Sequence, residues 1–88
     1  MASYRVVLKP SVEKELRPLP PSMVARIVER IETLSHDPFP HHSIKLAGTE
    51  QLYRIRVGDY RVVYGVDKAA AQVIVHYVRH RREVYRRI

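Results

Sequence analysis

The stretch YRIRVGDYRVVY, Tyr53 to Tyr64, sets three arginines among apolar residues around a central Gly58-Asp59 pair. Gly-Asp between two alternating runs is a tight-turn signal, although Asp-Gly is the commoner order, and a glycine at the first central position supplies the positive φ of a type II′ hairpin turn. A two-residue loop there fixes the register: Val57 faces Tyr60, Arg56 faces Arg61, Ile55 faces Val62, Arg54 faces Val63 and Tyr53 faces Tyr64. Alternation then puts Tyr53, Ile55, Val57, Tyr60, Val62 and Tyr64 on one face, and Leu52, Arg54, Arg56, Arg61, Val63 and Gly65 on the other. The first set reads as core, the second as an open face with a compact cationic patch. Two arginines directly opposed across strands cost a sheet roughly 0.2–1 kcal/mol. The pair Arg56 and Arg61 therefore points to a role outside folding, and Gly65 on the same face leaves room for a ligand.

The flanking sequence supplies what such a hairpin needs to pack against. Tyr4 to Leu8 reads as a first strand. Pro10 opens a short helix with Val12 and Leu16 on one face, stopped by Pro18. Ser22 is the expected N-cap of a longer helix whose core positions are Val24, Ile27, Val28, Ile31 and Leu34, with Arg26, Glu29, Arg30 and Glu32 facing water. His36 to Gln51 has no period and reads as a loop, with Phe39, Ile44 and Leu46 as its apolar anchors. Its histidines His36, His41 and His42 lack a carboxylate at ligand spacing on a regular element, so no metal is expected. Gln72 onward, QVIVHYVRH, is apolar on both alternating sets, Ile74, His76 and Val78 against Val73, Val75 and Tyr77, and reads as a central strand with His76 as a core or near-core histidine. The closing RHRREVYRRI has the composition of a short helical tail able to fold back toward the arginine face. The expected fold class is α+β: one small domain spanning residues 1–88, with an N-terminal strand, a helical hairpin and a three-stranded antiparallel meander completing a four-stranded sheet.

Charge narrows the partners. Residues 1–50 hold 7 Lys/Arg against 6 Asp/Glu and residues 51–88 hold 9 against 3, so +6 of the net +7 lies in the second part. A local surplus made almost wholly of arginine suits phosphate or carboxylate recognition by fork-shaped donors. There is no cysteine, which excludes disulfides and thiolate chemistry, and no signal-like or membrane-spanning run is seen, so a soluble intracellular protein is expected. Paired carboxylates, a Ser-His-Asp arrangement and the glycine-rich nucleotide motifs are also missing.

What is left is arginine, tyrosine and histidine. This set suits RNA, whose 2′-hydroxyl is a built-in nucleophile that needs orientation, a proton acceptor, stabilisation of the crowded phosphate and a proton for the leaving 5′-oxygen. No metal or cofactor is required. Arginine stays protonated, so His80, Tyr85 or Glu50 is left to carry protons.

The order of elements, together with LYRIRVGDYRVVY and the closing HRREVY, resembles the RelE toxins of the RelE/ParE superfamily, ribosome-dependent messenger-RNA endonucleases of toxin-antitoxin pairs. The resemblance implies a catalytic set of Arg54, Arg56, Arg61, Arg81 and Tyr85, with His80 beside it. Well-studied members carry lysines where this chain has arginines on the second strand of that set, which shifts proton transfer toward His80 or Tyr85. It also implies cytoplasmic action on the ribosome with messenger RNA in its A site, a cognate antitoxin as partner and no small-molecule cofactor. The alternatives are a ParE-type inhibitor of DNA gyrase and a non-catalytic RNA-binding module.

Overall fold

The computed structural model describes residues 3–46 and 52–80. Along the chain come β1 (Arg5–Leu8), α1 (Pro10–Leu16), α2 (Pro21–Thr33), β2 (Ile44–Lys45), β3 (Leu52–Val57), β4 (Tyr60–Asp67) and β5 (Gln72–His80). The strands form one mixed sheet in the order β1-β5-β4-β3-β2. β1 lies parallel to β5, from Arg5 opposite Gln72 to Leu8 opposite Val75, a pairing that the long crossover through the helices allows. The remaining pairs are antiparallel.

The α+β class and the helical pair follow the sequence reading, but the sheet has five strands among the described residues rather than four. The extra one, β2, is two residues from the segment read as loop, with Ile44 opposite Arg54 and Lys45 opposite Tyr53. Two residues are too few to show a period. The expected helical tail falls on residues 81–88, outside the described residues.

Both helices begin on proline. α1 has Pro10 in its first turn, and α2 starts at Pro21 with Pro20 before it and no side-chain cap. Proline at the first helical position lacks the N–H that would otherwise be left orphaned, so the Pro20-Pro21 pair opens α2 and Ser22 lies inside the helix instead of capping it. Val12 and Leu16 from α1, and Ile27, Ile31 and Leu34 from α2 and its C-cap, meet Ile55, Val57, Val62, Tyr64, Val66, Val73, Val75 and Val78 in one core. Val24 and Val28 pack at its margin.

The hairpin register is the one that the Gly58-Asp59 turn dictates, pair for pair from Tyr53 opposite Tyr64 to Val57 opposite Tyr60. Gly58 has φ 59°, and Ala71 is the described non-glycine residue with positive φ, so Asp59 stays at negative φ as a type II′ turn requires. Strict alternation fails in β5. Val63 pairs with Tyr77 but Tyr64 pairs with Val75, so His76 is an extra residue in the ladder. This bulge turns the end of the strand over. Val78 and His80 join Val73 and Val75 on the helix side, while Tyr77 and Arg79 move to the arginine side. No helix of the described residues is long and apolar enough to cross a membrane.

Candidate nucleic-acid interface

The bulge and the hairpin together build a row of guanidinium groups. Arg56 stands opposite Arg61 across β3 and β4, and Arg61 stands opposite Arg79 across β4 and β5. Three adjacent like charges on one sheet face are unfavourable by the cross-strand rule, and each is handled differently. Arg56 is exposed and its Nε donates to the Gly58 carbonyl at 3.0 Å. Arg79 is tied back: its Nε donates to Glu15 Oε2 at 3.0 Å and its guanidinium lies 4.3 Å from the centre of the Tyr77 ring. Arg61 has neither solution.

Arg61 is only 5% exposed and its Nη1 is a buried nitrogen without a hydrogen-bond partner. Alternation placed it on an open face, and the structure corrects that reading. Val63 is fully buried and Gly65 is buried beside it, so the inner part of this face is covered rather than open. Arg54, half-buried, and Arg56 form its accessible rim. Alternation assigns a residue to a side of the sheet but says nothing of depth.

Against Arg61 is a groove of about 570 Å³ lined by Arg30, His42, Ile44, Arg54, Arg56, Gly58 and Arg61. One wall comes from the loop before β2, which is pinned from inside. The Tyr64 hydroxyl donates to the Pro38 carbonyl at 2.8 Å in the core, and burial above all pushes its pKa up to about 12. The Tyr53 ring stacks on Tyr64 at 5.9 Å, and Phe39 meets Tyr53 edge-on at 5.0 Å. Four residues beyond Pro38, His42 accepts a hydrogen bond at Nε2 from Arg30 Nη2 at 3.0 Å.

At the far side, the edge of β5 outlasts β1. Past the Lys9 N–H, which donates to the Val75 carbonyl, the Ser11 hydroxyl reaches the His76 carbonyl and Glu15 Oε1 accepts the Val78 N–H at 2.8 Å. Glu15 therefore ends the strand edge and holds Arg79 with the same carboxylate.

Of the expected site residues, the structure brings Arg54, Arg56 and Arg61 together. It does not bring His80 to them: His80 lies opposite Tyr60 on the helix side, with its ring edge-on at 5.4 Å, beside a separate depression of about 200 Å³ that Glu15, Pro18 and Leu19 also line. Arg81, Tyr85 and Glu50 lie outside the described residues. Sequence reasoning missed Arg79, Arg30 and His42. Arg79 needed the bulge, Arg30 sat on the solvent side of the helical period, and His42 occupies a loop with no pattern.

Chemically, the lining of the groove suits an anion. A phosphate oxygen is a suitable acceptor for the unpartnered Arg61 Nη1, and Arg54 and Arg56 can close on the same group from the rim by charge-assisted bonds.

Comparison with known proteins agrees with this architecture. The family model described as the ParE toxin of type II toxin-antitoxin system, parDE, matches residues 6–85. The chain is 33% identical over 86 residues to a candidate toxin of Methanocaldococcus jannaschii named RelE1, covering 94% of this chain and 96% of that one. It is 34% identical over 89 residues to toxin RelG of Mycobacterium tuberculosis, covering 96% and 98%. A chain in the crystal structure of the archaeal RelE-RelB complex from Pyrococcus horikoshii OT3 matches with a TM-score of 0.80 and 36% identity, over 90% of this chain and 96% of that one. Matched from the first strand through both helices and the arginine-bearing hairpin, the chain belongs to the RelE/ParE superfamily of type II toxin-antitoxin toxins and is of the RelE type.

Proposed function

We propose that this toxin is a metal-independent endoribonuclease that cuts messenger RNA in the A site of the ribosome and so stops translation. The observation that carries the reading is Arg61: a buried guanidinium with an unpartnered Nη1 against an arginine-rimmed groove. Folding alone does not favour such a group. A phosphodiester would satisfy it, and the charge that grows on the non-bridging oxygens during attack would strengthen the contact in the transition state. Arg54 and Arg56 hold the same phosphate, and the family resemblance adds Arg81 and Tyr85.

The nucleophile in this reading is the adjacent 2′-hydroxyl. The groove is rich in cations and no carboxylate lines it among the described residues, so in this reading the ribosome serves as the scaffold that sets the 2′-oxygen in line with the scissile bond. A cognate antitoxin in the cytoplasm is the expected inhibitor, as the RelE-RelB complex of the Pyrococcus relative suggests. An acidic segment covering Arg54, Arg56 and Arg61 fits the charge of the groove.

The second reading, inhibition of DNA gyrase, has the ParE name of the matching family model in its favour. One set of assays separates the two. Purified protein should cut messenger RNA on programmed ribosomes, cut naked transcript little, and leave gyrase supercoiling unchanged, and Arg61→Ala and Arg81→Ala should each lose the cleavage. Gyrase inhibition without RNA cleavage would reverse the assignment, and equal cutting of naked and ribosome-bound RNA would remove the ribosome requirement.

A further inference from the structure

Building on the ribonuclease reading, we propose that His42 is a catalytic residue of the groove, the acceptor of the 2′-hydroxyl proton, and that Arg30 is its positioning residue. Arg30, Arg54, Arg56 and Arg61 share the groove wall with His42. Guanidinium groups stay protonated at any pH compatible with folding. Among these described lining residues, His42 is thus the group with a lone pair on nitrogen able to accept a proton. His80, the histidine suggested by sequence, faces the helices on the other side of the sheet.

The geometry fixes the state of the imidazole. Arg30 Nη2 lies 3.0 Å from His42 Nε2, and a guanidinium can only donate, so Nε2 accepts and the ring proton sits on Nδ1. Arg30 therefore selects the tautomer whose lone pair is on Nε2. The loop that carries the ring is anchored on both sides: by the Tyr64 hydroxyl at Pro38 upstream, and by the pairing of Ile44 with Arg54 downstream. The His41 ring meets His42 edge-on at 5.5 Å. Among the described residues, the charged and titratable groups around His42 are then His41 on its own loop, Arg30 from α2, Arg54 and Arg56 from β3, and Arg61 from β4.

An incoming phosphate offers Arg30 a stronger acceptor than imidazole. As Arg30 turns to it, Nε2 is released to the 2′-hydroxyl. The hydroxyl proton passes to Nε2, the bond from the 2′-oxygen to phosphorus forms, and the bond from phosphorus to the 5′-oxygen breaks. The departing oxygen takes a proton from water, and the imidazolium returns its proton to solvent. The products are a 2′,3′-cyclic phosphate and a 5′-hydroxyl.

The test is single-turnover cleavage on programmed ribosomes by the parent, His42→Gln and His42→Ala from about pH 5 to 8. The His42 side chain is exposed, so thermal midpoints should match and confirm folding. Expected are a loss of about 10²-fold or more in both variants, disappearance of the acid limb of the parent's pH-rate profile, and partial rescue of His42→Ala by added imidazole. Cleavage within a few-fold of the parent with the acid limb intact would overturn the proposal, as would a slow variant that keeps that limb and ignores imidazole. A parent that fails to cut ribosome-bound RNA would refute the ribonuclease reading itself, a result distinct from either.

Discussion

Replacing Arg61 with methionine should make the free protein more stable and a much slower nuclease. Arg61 is 5% exposed, its Nη1 is buried and unpartnered, and it stands between Arg56 and Arg79 in the cross-strand row. An unsatisfied buried polar group costs about 1–3 kcal/mol, and each like-charge cross-strand pair about 0.2–1 kcal/mol. Methionine removes both and leaves a flexible apolar stem in the same place; the smaller side chain gives back about 1 kcal/mol as imperfect packing. The balance is about 1–3 kcal/mol of added stability, or roughly 5–20 °C in the unfolding midpoint for a domain of this size. Cleavage should fall by about 10²–10³, the scale of one lost transition-state donor. Calorimetry and urea unfolding on parent and variant, with and without inorganic phosphate, provide the measurement. Phosphate should raise the parent's midpoint by mass action and the variant's less. A methionine variant that unfolds below the parent would refute the reasoning, because it would show that Arg61 supports the fold rather than waiting for an anion.

Tyr64→Phe keeps the ring but strands the buried Pro38 carbonyl, so it should cost about 1–3 kcal/mol in urea unfolding. The parent should lose stability between pH 10 and about 12, where the unfolded state gives up the phenolic proton and the folded state retains it; the phenylalanine variant should lack that component. Burial, and secondarily Lys9, holds the His76 pKa below 6.5. The sign is the opposite one: the associated stability is present above pH 6.5 and lost as pH falls through the lower folded-state value, and a difference titration of parent against His76→Gln should show it. Glu15→Gln keeps an acceptor for the Val78 N–H and should cost under about 1 kcal/mol, as expected for losing a partly exposed ion pair. Glu15→Ala orphans that N–H as well and should cost about 1–3 kcal/mol, and equal stability of the two variants would show that the strand-edge bond contributes nothing.

The hairpin was legible because two local signals agreed: Gly58 fixed the turn, and the alternation on either side fixed the faces. Helix positions were likewise readable, since Val12, Leu16, Ile27 and Ile31 recur at helical spacing and are buried. Three features were hidden for physical reasons. The bulge at His76 inserts a residue that an apolar strand does not announce, and it decides that Arg79 rather than Val78 shares the face of Arg61. The short β2 forms by pairing with β3, not by local propensity. The burial of Arg61 depends on the packed depth of the sheet face, which period-two patterning leaves open. His42 came to the site through the fold of an irregular loop anchored by Tyr64, a contact 26 residues apart in sequence.

The most direct test of the account places a single 2′-deoxynucleotide at the cleavage position of messenger RNA in the ribosomal A site. The parent protein should cut the all-ribose message to a 2′,3′-cyclic phosphate and a 5′-hydroxyl, and should leave the deoxy-substituted bond intact while still protecting it as a bound ligand. Cleavage of the deoxy-substituted bond at the original rate would mean that water, not the RNA's own hydroxyl, attacks the phosphate held by Arg61, and the mechanism would be wrong.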